Sequence, residues 1–242
     1  MIVNLRDSGW EIIYHRAHAL LAAEVAGYWN FGEKRPHLYQ TIAAISHHDD
    51  LEKEWEGDEL TEAGAPLDFT LAEEMGLENL RQHVQDSLYR GRWVAILTSM
   101  HMCFLQRNKA EQNPEVAAFV QEQYQHQAQW REELGLDKDE VEAAYTFMRW
   151  CDRLSLILCQ RQIPAQGRHL EITNGPDGQT YTIHQLESGH LGVTPWPFTQ
   201  DYCPLSVDAT YLSQLKFDSN EDLRAALKSA PRQTLTWTLA RP

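Results

Sequence analysis

No run of about 18 apolar residues occurs in this chain of 242 residues, so no membrane-spanning helix is expected. The opening residues, MIVNLRDSGWEII, lack a basic segment leading into an apolar one, so no secretory signal peptide is expected. Cysteine is scarce. Cys103, Cys151, Cys159 and Cys203 include no CxxC pair, and three of them sit in apolar helical runs. They read as buried free thiols in a reducing cytoplasm. No internal repeat, low-complexity tract, glycine-rich phosphate loop, Walker motif or GxSxG is present, which sets aside several nucleotide-binding and hydrolase classes. Basic residues are also few, 21 against 35 acidic, for a net charge of −14. Most of the deficit lies in residues 1–160, which hold 27 acidic and 14 basic residues. Such a surface repels long nucleic acid and anionic membranes. A small anionic substrate stays open, because a bound metal would reverse the local field.

Hydrophobic residues at 43% and charged residues at 23% are ordinary for a globular chain long enough to bury a core without staples. The pattern predicts helices over 17–28, 37–56, 71–89, 93–105, 114–134 and 137–160, after a short strand or lead-in at 10–13. Thr70 reads as an N-cap with Glu73 at the capping-box position, Pro114 as a helix start and Asp137 as a cap. The character changes at Ile163–Pro164. LEITNGPDGQTYTIHQL reads as a hairpin, SNEDLRAALKS as a short capped helix and TLTWTLA as a strand. The organisation expected is a mainly α domain, residues 1–162, with a small β-rich extension, 163–242, packed on it. Trp196 and Phe198, set between prolines, read as strand-end packing or as a cover for a site.

Eight of the eleven histidines fall before residue 161. His18 opens an Ala/Leu helix, His47-His48-Asp49-Asp50 follows the apolar TIAAIS, and His101 and Asp152 interrupt apolar helices. A charge in an apolar helix is costly unless it is paired or bound to a metal. His18, His48, Asp49 and Asp152 would together make a mixed nitrogen and oxygen set, suited to one or two ions of Mn, Fe, Co, Ni or Zn. His101 would be a fifth ligand or part of a second metal position. Plainer readings stand beside these. His18 can be a helix-face histidine, His48-Asp49 a solvated acidic turn, and Asp152 a partner of Arg149 or Arg153. His101 can be a core histidine bonded to a carbonyl or to Ser99. His15 fits an outer-shell donor, and Asp50 a general base, a second-metal ligand or a solvated carboxylate.

The order His18, His48-Asp49, Asp152 resembles the metal-binding signature of the HD superfamily of helical metal-dependent phosphohydrolases. AAISHHDDLEKEWEG, ILTSMHMCFLQ, RWCDRLSLILC and VTPWPF also resemble a narrower bacterial family of HD-like proteins of unknown function. That family reads Gly-Trp-Arg where this chain has Leu51, Glu52 and Lys53, and it matches at Glu54, Trp55 and Glu56. The resemblance implies an HD-like helical bundle and a metal-dependent phosphohydrolase acting on a nucleotide or other small phosphate ester. Asp50 or His101 would then move the proton, and Lys53 or Arg153 would offset phosphate charge. A di-iron oxygenase, with His101 and Asp50 as added ligands, and a non-catalytic metal or ligand sensor are the alternatives.

Overall fold

The computed structural model describes residues 1–32, 37–50, 59–72 and 75–242. Strands β1 (Ile2–Arg6) and β2 (Gly9–Ile13) form a hairpin that leads into helix α1 (His15–Tyr28). There follow α2 (Leu38–His47), α3 (Leu77–Ser87), α4 (Arg92–Ala110), α5 (Pro114–Leu134) and α6 (Lys138–Cys159). The chain then runs through β3 (Leu170–Asn174), β4 (Thr180–Gln185), β5 (Leu191–Thr194), β6 (Tyr202–Leu212), α7 (Asn220–Ser229) and β7 (Arg232–Ala240).

Local chemistry sets many of these limits. Asn113 accepts hydrogen bonds from the Glu115 and Val116 amides, Pro114 fills the first turn, and Gly135 at φ +64° closes α5. Asp137 accepts from the Asp139 amide to start α6, and Ser219 from the Asp222 amide to start α7. Two expected helices are shorter. α2 ends at His47, and α3 begins at Leu77. Thr70 lies in a separate 3-10 turn capped by Asp68, and Glu73 falls outside the described residues.

The strands make one curled seven-stranded sheet in the order β1-β2-β6-β7-β5-β4-β3, antiparallel except where β5 meets β7. β6 was not expected, because Pro204 and Pro195 made its surroundings look broken. From Cys203 to Ala209 it nevertheless alternates buried and exposed residues, as in a sheet with one covered face. β2 pairs with it, Trp10 opposite Leu212 and Ile12 opposite Thr210. Gly9 allows this approach. A Cβ there would lie 1.9 Å from the Leu212 carbonyl oxygen, on a backbone at φ +129°.

The expected fold class is therefore corrected. This is a mixed helix and sheet protein, not an all-α chain or an HD-like helical bundle with a small β-rich extension. The N-terminal hairpin belongs to the same sheet as the late strands, and helices and sheet share one core. Trp29 of the loop after α1 packs against Trp150 of α6 with ring centres 4.8 Å apart, and Trp150 packs against Tyr181 of β4 at 5.5 Å. Phe198 is buried in this group, so it serves as packing. The four cysteines are buried and unpaired. No helix among the described residues is long and apolar enough to cross a membrane.

One buried charge ties the sheet to the helices. Glu11 of β2 has no exposed surface, and its carboxylate accepts from Arg161 Nε at 2.7 Å and from the Tyr211 hydroxyl at 2.8 Å. Burial alone would raise its pKa, but Arg161 and Tyr211 outweigh that and hold it below its ordinary value of 4.5. Its contribution to stability is thus complete above that value and is lost as the pH falls through the lowered one. Arg161→Ala strands the carboxylate and should cost about 3 kcal/mol, read by urea unfolding at neutral pH. A cost below about 1 kcal/mol, the scale of an exposed pair, would show that the pair does not anchor β2.

Candidate metal centre

α1, α2 and α6 pack side by side, and each brings polar side chains to one place. His15 and His18 lie a turn apart on α1. His48 caps the C-terminus of α2, and Asp49 follows it. Asp152 and Ser155 lie on one face of α6, three residues apart. His18 Nε2 is 2.6 Å from Asp49 Oδ2 and 4.0 Å from Asp152 Oδ1. His48 Nε2 is 3.2 Å from Asp152 Oδ1 and 3.5 Å from Asp49 Oδ2. Potential ligand atoms of His18, His48 and Asp49 lie within 4.8 Å of one another, as do those of His48, His101 and Asp152. The five residues expected as metal ligands are thus together.

The hydrogen bonds fix which nitrogens remain available. His48 Nδ1 lies 2.6 Å from the Ile45 carbonyl, which can only accept, so Nδ1 carries a proton. Ser155 Oγ donates to the Asp152 carbonyl at 2.8 Å, which commits its hydrogen. It therefore accepts from His18 Nδ1, also at 2.8 Å. In both neutral rings the Nε2 lone pair then faces carboxylate oxygens. That arrangement is repulsive unless positive charge stands between, as a second proton on each ring or as a cation.

Without a bound cation the charge balance falls on His48. Burial would push its pKa down, yet Asp49 and Asp152 outweigh that and raise it to about 10. Burial acts to raise both carboxylates, but the facing imidazoles hold them below the usual carboxylate range. His101 behaves oppositely. Burial, then the charge of His48, takes it down to about 4. Its ring is neutral, and its Nδ1 is buried with no hydrogen-bond partner. The three imidazoles are at most 2% exposed, while the side chains of Asp49 and Asp152 are 21% and 17% exposed. Solvent reaches the cluster across the carboxylates.

The plainer pairings offered for Asp152 and for His101 with Ser99 are not made. Among the described residues Asp152 pairs with neither Arg149, which stacks on Phe104, nor Arg153, which has no ion-pair partner. Ser99 bonds to Gln123 and Gln127 rather than to His101. Asp50 stands apart from the ligand cluster. Its carboxylate accepts from His47 at 2.8 Å and Arg90 at 3.2 Å, with Arg16 4.0 Å away. Lys53 lies outside the described residues. Two participants were not anticipated. Ser155 could have been found, since it shares the Asp152 face of α6. His83 of α3, buried close enough to the His48 backbone to feel it, carries no sequence signal, because only the packing of α3 brings it there.

The chain matches the family model described as protein of unknown function DUF3891 over residues 1–214. It belongs to the DUF3891 family. The HD-superfamily resemblance is overturned, since no HD-domain family matches and the fold is not an HD helical bundle. The shared order of His, His-Asp and Asp reflects a ligand pattern, which does not specify a scaffold. No curated protein and no solved structure matches the chain.

A divalent ion taking these donors displaces the His48 proton, so uptake near neutral pH should release at least about one proton, and affinity should rise with pH. Calorimetry in buffers of different ionisation enthalpy measures the release. Ser155→Ala frees the His18 ring and should weaken metal binding by about 10- to 100-fold. Unchanged affinity would show that Ser155 does not orient the ligand.

Proposed function

We propose that the chain is a metal-dependent hydrolase of small phosphate esters, with one divalent transition metal held by His18, His48, Asp49 and Asp152 and with His101 as a fifth ligand. The observation that carries this reading is the pair of imidazole Nε2 lone pairs facing two carboxylates, with both Nδ1 protons already committed. Two His and two Asp suit Mn, Fe, Co, Ni or Zn. A single ion is favoured over two, because the two ligand groups share His48, and that ring has only one nitrogen left to give. When bound, the metal supplies Lewis acidity toward a phosphoryl oxygen and a lowered pKa for water.

The chain's own residues supply the rest. His18 and His48 form a dry floor, while Asp49 and Asp152 sit on the side that a substrate approaches. Arg153 follows Asp152 in α6, is half-buried and carries no ion pair among the described residues, so no carboxylate neutralises its charge. Arg16 and Arg90 converge on Asp50, next to Asp49, and add positive charge at the rim. The charge of such an ester is thereby offset despite the acidity of the helical half.

A second reading, a non-catalytic metal-binding sensor, is favoured by Asp50, whose carboxylate is already engaged by His47 and Arg90 and is not free to act as a base. Elemental analysis of untagged protein, beside a His48→Ala, Asp49→Ala double variant, tests the metal. About one equivalent in the wild type, lost in the variant, is expected. No metal bound or taken up would sink the hydrolase and the metal sensor together. On the metal-loaded protein, a panel of phosphate monoesters and diesters should show turnover that Arg153→Gln lowers by about tenfold or more, the size of one charged hydrogen bond. Full metal with no turnover would decide for the sensor.

A further inference from the structure

Helices α5 and α6 both lie along α4 but scarcely touch each other. The wedge between them is a cavity of about 560 Å³, within the range of small-ligand sites. Ile96, Met100 and Cys103 of α4 and Val141 of α6 give it an apolar floor, and Phe104 and Tyr145 supply aromatic walls. Its rim is basic, with Arg107, Arg131 and Lys138 against the single acid Glu142. Lys138 engages Glu142 at 3.2 Å. Arg107 and Arg131 have no carboxylate partner among the described residues. Arg107 lies over the Phe104 ring at 3.8 Å and donates to the Phe104 carbonyl at 3.3 Å, and Arg131 donates to the Gln127 carbonyl at 3.4 Å.

Tyr145 is 8% exposed, and its hydroxyl is buried with no hydrogen-bond partner. Leaving such a group unsatisfied is costly. Burial raises the pKa of this hydroxyl, so it remains a donor, and Arg149, Asp152 and Arg107 all lie near enough to act on it. An orphaned donor, two guanidiniums with no carboxylate partner among the described residues and an apolar floor thus meet in one cavity, in the helical half of a chain whose net charge is −14.

We propose that this wedge binds a small organic carboxylate with a flat, apolar body. The body lies on Met100, Cys103 and Val141 beside the Phe104 and Tyr145 rings, which touch each other edge to face at 6.5 Å. The carboxylate accepts from the Tyr145 hydroxyl and from Arg107 and Arg131, whose planar forks suit two carboxylate oxygens. The site is separate from the metal centre and does not rest on the hydrolase reading, since none of the five proposed ligands lines the wedge. The two are neighbours nonetheless. The Phe104 and Tyr145 rings lie 6.4 and 6.3 Å from the His101 ring, which is 5.2 Å from that of His48.

The test is calorimetric titration of the full chain with 2-naphthoate, beside its uncharged isostere 2-naphthamide. One site per chain is expected, with the amide bound at least about tenfold more weakly. Arg107→Gln and Arg131→Gln, both at the rim, should each weaken naphthoate by about tenfold, the size of one lost charged hydrogen bond. Tyr145→Phe should keep or raise the melting temperature, since it removes an unsatisfied hydroxyl, and yet bind naphthoate several-fold more weakly. A purely packing role for Tyr145 would not produce that split. Three results would overturn the proposal: no binding at millimolar naphthoate, equal binding of acid and amide, or binding unaffected by both arginine variants. The His48→Ala, Asp49→Ala variant should retain binding. Its loss there, with the arginine variants unaffected, would place the carboxylate on the metal centre instead.

Discussion

An imidazole lone pair and a carboxylate cannot face each other in a dry site unless positive charge lies between them. At His18 and His48 the usual escape, a shift of the ring proton to the other nitrogen, is closed. The Ile45 carbonyl holds one Nδ1 proton, and the committed Ser155 hydroxyl holds the other. Two carboxylates stand opposite, so the cluster is electrostatically incomplete without a proton or a metal ion. The raised His48 and the lowered Asp49 and Asp152 follow from that one requirement, while the neutral His101 owes its state first to burial and then to the charge of His48.

The scaffold meets it by fixing three helices relative to one another. Glu11 precedes α1 and Arg161 follows α6, so their ion pair clamps the two ligand-bearing helices at the level of the sheet. Trp29 and Trp150 do the same from within the core. α2 needs less support, because its contribution comes from the last turn, where the carbonyl of Ile45 is free to orient His48.

Much of this was legible in the sequence where the deciding chemistry is local. Pro114 and Gly135 mark the ends of α5, Asp137 and Ser219 mark helix starts, and Asn174–Gly178 marks the turn of a hairpin. The ligands were legible because a histidine or aspartate in an apolar helix demands a partner. The architecture was not, because it rests on distant pairing. β1 is short, β6 carries a proline, and nothing near residue 10 announces that its partner is residue 212. The likeness to an HD bundle followed from treating ligand order as if it carried the fold. The basic wedge was hidden by averaging, since Arg107, Arg131 and Lys138 are spread along a strongly acidic segment and meet only when α5 and α6 diverge from α4.

The pairing of β2 with β6 has a consequence for how the molecule is made. As the chain leaves the ribosome, the hairpin of β1 and β2 appears long before β6, the strand that completes its hydrogen bonding some two hundred residues later. All the candidate ligands, from His18 to Asp152, are synthesised before that strand exists. During that interval β2 presents an unpaired edge and Glu11 is without Tyr211. Contacts so remote in sequence close slowly, and an open edge invites pairing with other chains. Newborn copies are therefore most exposed to mispairing along β1 and β2, and an ion captured early by the helical segment would bind before the sheet that holds α1 in place has closed.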